Sequence, residues 1–306
     1  MGLRIRTNTT SLNAQNNLAR STEALKDSMT KISSGSRINR SADDAAGLAV
    51  SENLRADLRS LAMAKRNAMD GVSLVQTAEG GLNEAGNMLI RLRELAVQGA
   101  SDTIGNKERE YLDMEFVQLK NEIDRIAGST EFNGTYLLIG SNPVFKEAAS
   151  RANKPPLEIQ VGKDYYRNMD GPKATNPLNV IRMDLSRLNT FTDGDSSLGI
   201  GKAEEGTRVN RKELAQQSIS VLDNAITKVS SDRAYLGSLQ NRLGSTISNL
   251  GTQSENLSEA QSRIRDTDFA TETANLTKAS ILQQAGTSIL ATANAQPQIA
   301  LSLLKG

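Results

Sequence analysis

The residues able to do chemistry are few, and their spacing is wrong for it. Neither His nor Cys occurs in the chain. Their absence removes Ser-His-Asp triads, thiol nucleophiles, Cys/His zinc sites and disulfides. One adjacent carboxylate pair, Asp43-Asp44, lies beside a loop and would suit acid–base work if both groups faced one substrate. Neighbours at i and i+1 on a helix start do not face each other, so the pair reads as capping and dipole-complementing side chains. Ser196–Lys202 (SSLGIGK) imitates a phosphate loop, but Ser196 stands where the first Gly belongs and Ala203 where Ser or Thr is needed. Asn8-Thr9-Thr10 and Asn133-Gly134-Thr135 fit the N-glycosylation pattern, which is too common to carry a function. No catalytic, cofactor-binding or metal-binding residue is expected.

Charge excludes a further class. The 306 residues carry 36 basic and 35 acidic side chains, a net charge of +1, with no strongly basic end. A nucleic-acid binder normally shows a basic face, so that class is set aside. Aromatics make up only 3% and Trp is absent, leaving aliphatic side chains and Ala as core material. That suits thin helix–helix seams. The first residues, MGLRIRTNTTSLNAQNN, lack the apolar core of a signal peptide, and no later run is long enough to span a bilayer. The expectation is a chain without membrane insertion, cytosolic unless it is exported by a route that cleaves nothing.

What the chain does contain is two long apolar seams. Ala215, Leu222, Val229, Leu236, Leu243, Leu250, Leu257 and Ile264 recur at intervals of seven, thickened by Ile219, Ile226, Leu239, Ile247 and Ala260. Strands alternate with period two, so this is a helix with one buried stripe, on the order of 75 Å long at ~1.5 Å per residue. A seam of that length needs a partner surface. Leu54, Leu61, Ala68, Val75, Leu82, Leu89 and Ala96, also seven apart, supply one about 65 Å long. Two matched seams at opposite ends of the sequence imply an outgoing and a returning helix. Gly237, Gly244 and Gly251 each follow a seam Leu. They are either tolerated at solvent or allow a close neighbour.

Shorter elements flank the seams. Residues 4–33 are amphipathic, with Leu18, Leu25 and Ile32 seven apart, and should end as a helix near Gly35. Ser41 and Asp44 give an S-x-x-D start signal. Leu112, Phe116, Leu119, Ile123 and Ile126 predict a third helix at about 107–127, followed by an Asn133-Gly134 turn. Residues 141–205 hold five of the six prolines and read as two or three short strands, outward-facing and dispensable for any assembly. Asn210 with Glu213 is the expected cap of the returning helix. Asp266-Thr267-Asp268 should interrupt it, and a last helix should run from about 268 to 296, with Pro297 close to its end. Stripes this sparse leave both terminal helices marginal on their own.

The expected fold is therefore mainly α: an elongated antiparallel helical bundle or coiled coil of paired N- and C-terminal helices, with a small β-hairpin and turn region in the middle of the chain. The segments are 1–40, 41–140, 141–206, 207–265 and 266–306.

Long blocks at both ends resemble the bacterial flagellins: SLNAQNNL (Ser11–Leu18), KISSGSRINRSADDAAGLAVSENLR (Lys31–Arg55), RELAVQ (Arg93–Gln98) and EIDRIAGSTEFNG (Glu122–Gly134), then LGSLQNRL (Leu236–Leu243), NLSEAQSRIRDTDFATE (Asn256–Glu272) and ILQQAGTSILATANAQPQIALSLL (Ile281–Leu304). The resemblance implies a subunit that polymerises with itself into the flagellar filament. It implies secretion to the cell exterior without a cleaved leader, with an export chaperone, cap and hook-associated proteins as partners. Residues 1–40 and 266–306 would form the inner domain, 41–140 and 207–265 the rod. Arg91, Leu95 and Glu115 would align with the surface that a host Toll-like receptor grips. The alternatives are a hook–filament junction protein, which would match mainly at the extreme ends, and a coiled-coil adaptor unrelated to flagella.

Overall fold

The computed structural model describes residues 8–140, 157–164, 179–194, 197–202 and 206–305, with side chains as far as residue 296. Of the expected turn region, 141–156 and 165–178, with 195–196 and 203–205, lie outside the described residues. The fold is mainly α. Among the described residues five long helices follow in order: α1 (Thr9–Ser34), α2 (Ala45–Gly99), α3 (Asn106–Ser129), α4 (Lys212–Arg265) and α5 (Phe269–Lys305). Between α3 and α4 come β1 (Glu131–Phe132), β2 (Thr135–Tyr136), β3 (Leu157–Gln160) and β4 (Val180–Met183). Residues 59–254 form one compact unit; Met1–Leu58 with Glu255–Gly306 form a second.

The larger unit is built on the two seams. Leu61, Val75, Leu82 and Leu89 of α2 are buried, as are Leu222, Val229, Leu236, Leu243 and Leu250 of α4. Leu54, Leu257 and Ile264 lie in the smaller unit and are half-buried. Close approaches pair Gly99 with Ala215, Gly86 with Val229 and Gly71 with Leu243. One number falls as the other rises, so the helices run antiparallel. Each Leu or Val buried this way contributes about 1.5–3 kcal/mol. α3 covers the seam pair from one side with Phe116 and Ile123, both fully buried, while Leu112 and Leu119 are half-buried.

The β1–β2 hairpin pairs Glu131 with Tyr136 and Phe132 with Thr135. Its two-residue turn has Asn133 at φ 50° and Gly134 at φ 73°, the left-handed pair that suits Asn-Gly. β3 and β4 form a second antiparallel ladder, Leu157 opposite Met183. Glycines on α2 make room for both: a Cβ on Gly71 would stand 2.6 Å from Ile159, and one on Gly81 2.7 Å from Leu138.

The segment after β4 departs from the expectation of an outward-facing, dispensable insert. Met183, Leu185, Leu188, Phe191, Leu198 and Ile200 are all buried and join the main core. Aperiodic spacing concealed them, because a coil buries side chains wherever its path turns inward.

In the smaller unit α1 and α5 pack antiparallel against each other. The residues of these two helices that are fully buried are small: Ser11, Ala14, Ser28, Ala279 and Ala293. α1 ends on Gly35 at φ 68°. The chain breaks next to it are tied together. Thr267 N–H donates to the Gly35 carbonyl at 3.0 Å and Arg37 N–H to the Arg265 carbonyl at 2.6 Å. The Arg37 guanidinium reaches the Ile264 carbonyl at 2.7 Å. Asp44 caps α2 by accepting from Gly47 N–H at 2.8 Å, so the cap sits three residues later than the S-x-x-D reading placed it. Asp43 accepts from the N–H groups of Asn39 and Arg40, both at 2.9 Å, and those bonds hold its carboxyl below the usual range. Asp268 starts α5 by accepting from Ala270 N–H at 2.9 Å. Asn210 is no cap: its side-chain oxygen is buried without a partner.

Among the described residues a Cβ on Gly237, Gly244 or Gly251 would meet nothing within 4 Å, so the glycine ladder serves no contact with them. Since each helical Gly→Ala change is worth about 1 kcal/mol of propensity, G237A/G244A/G251A should raise the thermal unfolding midpoint of the monomer. A lowered midpoint in calorimetry would contradict the open surroundings described here.

Candidate functional site

Among the described residues no group of His, Cys, Asp or Glu is placed to hold a metal ion, and no described helix is long and apolar enough to cross a membrane. The polar features that remain hold the fold together or mark its surface.

The first is a clasp on the coil after β4. Lys120 of α3 is fully buried. Its ammonium donates to the carbonyls of Lys202 at 2.6 Å, Ile200 at 3.3 Å and Thr207 at 3.3 Å. Burial lowers its pKa to about 8, against the pull of Asp124 and Asp113. One turn along α3, Asp124 accepts from Thr192 N–H and Oγ1–H, both at 2.8 Å. Burial raises the Asp124 pKa, although these bonds oppose it. Asp113 takes the Arg208 guanidinium at 2.6 Å and Val209 N–H at 2.9 Å. From α4, Lys228 donates to the carbonyls of Ser197 at 2.9 Å and Asn189 at 3.3 Å. Coil carbonyls without a strand partner must find donors when buried, and the two ammonium groups supply them. Sequence reading missed this site, because a Lys among polar helix positions looks like an ordinary solvated residue. The one usable signal was that Lys120 stands four residues after Phe116, on the face of α3 that carries the apolar stripe.

The second feature is the pair Arg91 and Glu115, bridging α2 and α3 on the surface. The guanidinium meets Glu115 at 2.9 Å and 3.0 Å, and Glu94 at 2.9 Å. These carboxylates raise the Arg91 pKa. As an exposed ion pair it adds little stability. Leu95 is 1% exposed: the structure places it beneath this surface, in the core, apart from the two charged residues with which it was grouped. On the same two helices Ile90, Val97, Tyr111 and Met114 stand exposed.

The third feature is the outer face of the smaller unit. Phe269 is 56% exposed, Ile281 61%, Leu282 49% and Ile289 56%. Phe269, Ala270, Thr273, Ala274, Thr277, Lys278, Ile281 and Leu282 line a shallow groove of about 860 Å³ along α5. Large aliphatic side chains held in water along one helix face mark a surface that binds something.

Comparison with known proteins bears on what that is. Residues 5–143 match the family described as the bacterial flagellin N-terminal helical region, and residues 219–304 match the bacterial flagellin C-terminal helical region. The chain is 40% identical to the flagellin of Bacillus subtilis (strain 168) over 99% of this chain and 100% of that one. It is 35% identical to polar flagellin C of Vibrio parahaemolyticus over the full length of both. The crystal structure of Bacillus cereus flagellin is similar over 64% of this chain and 94% of its own, at 30% identity and a TM-score of 0.45.

The Lys120 clasp has a measurable pH signature. The folded-state pKa is about 8 against 10.5 in solution. Between those values the unfolded chain keeps a proton that the folded chain has released, so this group's contribution to stability rises with pH. Below 8 both states hold the proton and the cost of burying the charge is fully present. Lys120→Met should remove that rising limb: from about pH 7.5 to about 9.5 its denaturant midpoint should fall relative to wild type. Parallel pH responses of the two proteins would refute the shift.

Proposed function

The chain belongs to the bacterial flagellin family and is a structural subunit of the flagellar filament; we propose that it polymerises with further copies of itself through the exposed apolar face of its terminal helices. One observation carries this reading. The α1–α5 pair buries Ser and Ala against itself and leaves Phe269, Ile281, Leu282 and Ile289 in water. In an isolated protein that arrangement is inverted, because the large side chains give the larger gain on burial. A helical polymer of identical chains covers the same face on every copy. Heterologous contact of this kind propagates without closing.

The same reading supplies the remaining partners. The subunit is exported and added to the filament outside the cell, with an export chaperone, a cap and hook-associated proteins in attendance. The seam positions, from Leu54 and Leu61 through Leu257 and Ile264, keep the two long helices in register on every copy. The five-segment division, with inner helices at 1–40 and 266–306 flanking a rod at 41–140 and 207–265, follows from the same family pattern. A host Toll-like receptor engages the monomer at Arg91 and Glu115, whose exposed ion pair shares its two helices with exposed apolar side chains; Leu95 supports that surface from below.

Two experiments test these statements. Ile281→Glu places a charge on the face to be buried and leaves residues 59–254 untouched. It should raise the critical concentration for polymerisation at least about tenfold, with an unchanged monomer melting curve. Filaments forming at the wild-type concentration would exclude this face as the contact. Separately, R91A/E115A monomer should lose signalling in reporter cells that carry the receptor, and undiminished signalling would remove that assignment.

A further inference from the structure

Proline in a helix interior leaves one carbonyl without its partner, because it has no amide hydrogen to give to the residue four positions earlier. α5 continues through position 297 to Lys305, and the residue there is Pro297. The carbonyl left without an intrahelical donor is that of Ala293, a residue only 5% exposed. Its donor comes from the opposite end of the sequence: Asn8 Nδ2 reaches the Ala293 oxygen at 2.8 Å. The other half of the same amide caps α1, where Asn8 Oδ1 accepts from Ser11 N–H at 3.1 Å. Beside it Ser11 Oγ, on a 7% exposed residue, meets Asn294 Oδ1 at 2.7 Å.

We propose that Asn8 is the positioning residue that sets the register of α1 against α5, by donating to the carbonyl that Pro297 frees. Along the rest of this pair, among the described residues, the fully buried side chains are Ser and Ala, small and nearly interchangeable under a slide of one turn, and Leu18, half-buried against Gly286, is the one large side chain seen to approach the partner helix. The small side chains fix the register only weakly. The Ala293 oxygen differs from the other carbonyls on the inner face of α5. It is the acceptor that lacks an intrahelical bond, so only one alignment of α1 satisfies both it and the α1 cap. A buried carbonyl without a donor is costly, so a slipped register is penalised at this point. Asn is suited to the position because its amide accepts for the cap and donates across the pair at once. The inference rests on the reading that this helix pair is what the filament assembles from.

Side chains that keep the cap but lose the amide that reaches Ala293 make the test: the Asp carboxylate has no donor, and the Ser hydroxyl ends one bond short of the amide nitrogen. Ser and Asp are good N-caps and neither has an amide N–H. If Asn8 serves α1 alone, N8S and N8D should polymerise like wild type. If it sets the register, both should raise the critical concentration roughly tenfold. The expected result for N8S in the P297A background is a change under about threefold, because the restored amide satisfies Ala293 by itself. Wild-type behaviour of N8S and N8D would overturn the proposal. So would an N8S effect of equal size with and without the P297A change, since Asn8 would then act through something other than this carbonyl. Should P297A fail to assemble, the comparison of N8S and N8D with wild type still decides. Failure of the wild-type chain itself to polymerise would instead strike the filament reading.

Discussion

The structure depends on one constraint: a helix as long as α4 cannot bury its stripe against itself. Leu222, Val229, Leu236, Leu243 and Leu250 need a continuous apolar surface, and the stretch of comparable length is the one carrying Leu61, Val75, Leu82 and Leu89. Pairing them forces the chain to reverse direction between residues 99 and 212, which places α3, the hairpins and the buried coil where the reversal occurs. It also returns the C-terminus to the N-terminus, so that α1 and α5 can meet. The charges along the pair, such as Arg93 with Asp223 at 2.6 Å, are exposed and discriminate between registers more than they stabilise.

The reversal creates a second problem, which buried charge resolves. Coil that turns inward brings its own carbonyls and amides, and the long helices cannot donate to them from the backbone. Lys120, Lys228, Asp124 and Asp113 answer with side chains. A lysine is expensive to bury. The expense is tolerated here because three coil carbonyls surround the Lys120 ammonium and carboxylates on α3 stand near it. Tyr235 of α4 joins in by accepting from Asp184 N–H at 3.0 Å, while the Arg187 guanidinium lies 5.0 Å over its ring.

What could be read from the sequence follows from how local each interaction is. Both seams, α3, the Asn133-Gly134 turn and the break at Asp266–Asp268 were legible, because period and turn chemistry are properties of neighbouring residues. The coil core was not: nothing local marks Phe191 or Ile200 as buried, since their partners are far away in sequence. For the same reason Lys120 passed as a surface residue and Asn210 as a cap. Leu95 illustrates a different failure. It was grouped with two exposed charged residues, whereas its place in the 3.6-residue period, three positions after buried Leu92 and beside buried Ala96, turns it inward. At the candidate surface Arg91 and Glu115 were named through the family resemblance alone, without their ion pair, and the apolar groove on α5 was not legible, because spacing does not decide whether Ile281, Leu282 and Ile289 face the chain or solvent.

That last ambiguity explains how the ends are built. A stripe of Leu and Ile on an isolated helix would be drawn into the nearest core, and the terminal helices would then collapse onto the chain that carries them. The fully buried side chains between α1 and α5 are instead Ser and Ala. Gly286 lets Leu18 approach to within 3.3 Å of where a Cβ would stand, so the helices pack close, and the large side chains Phe269, Ile281 and Ile289 of α5 are left in water. Those are the side chains that the proposed contact between copies would cover, and association of that kind would supply the burial that the single chain forgoes.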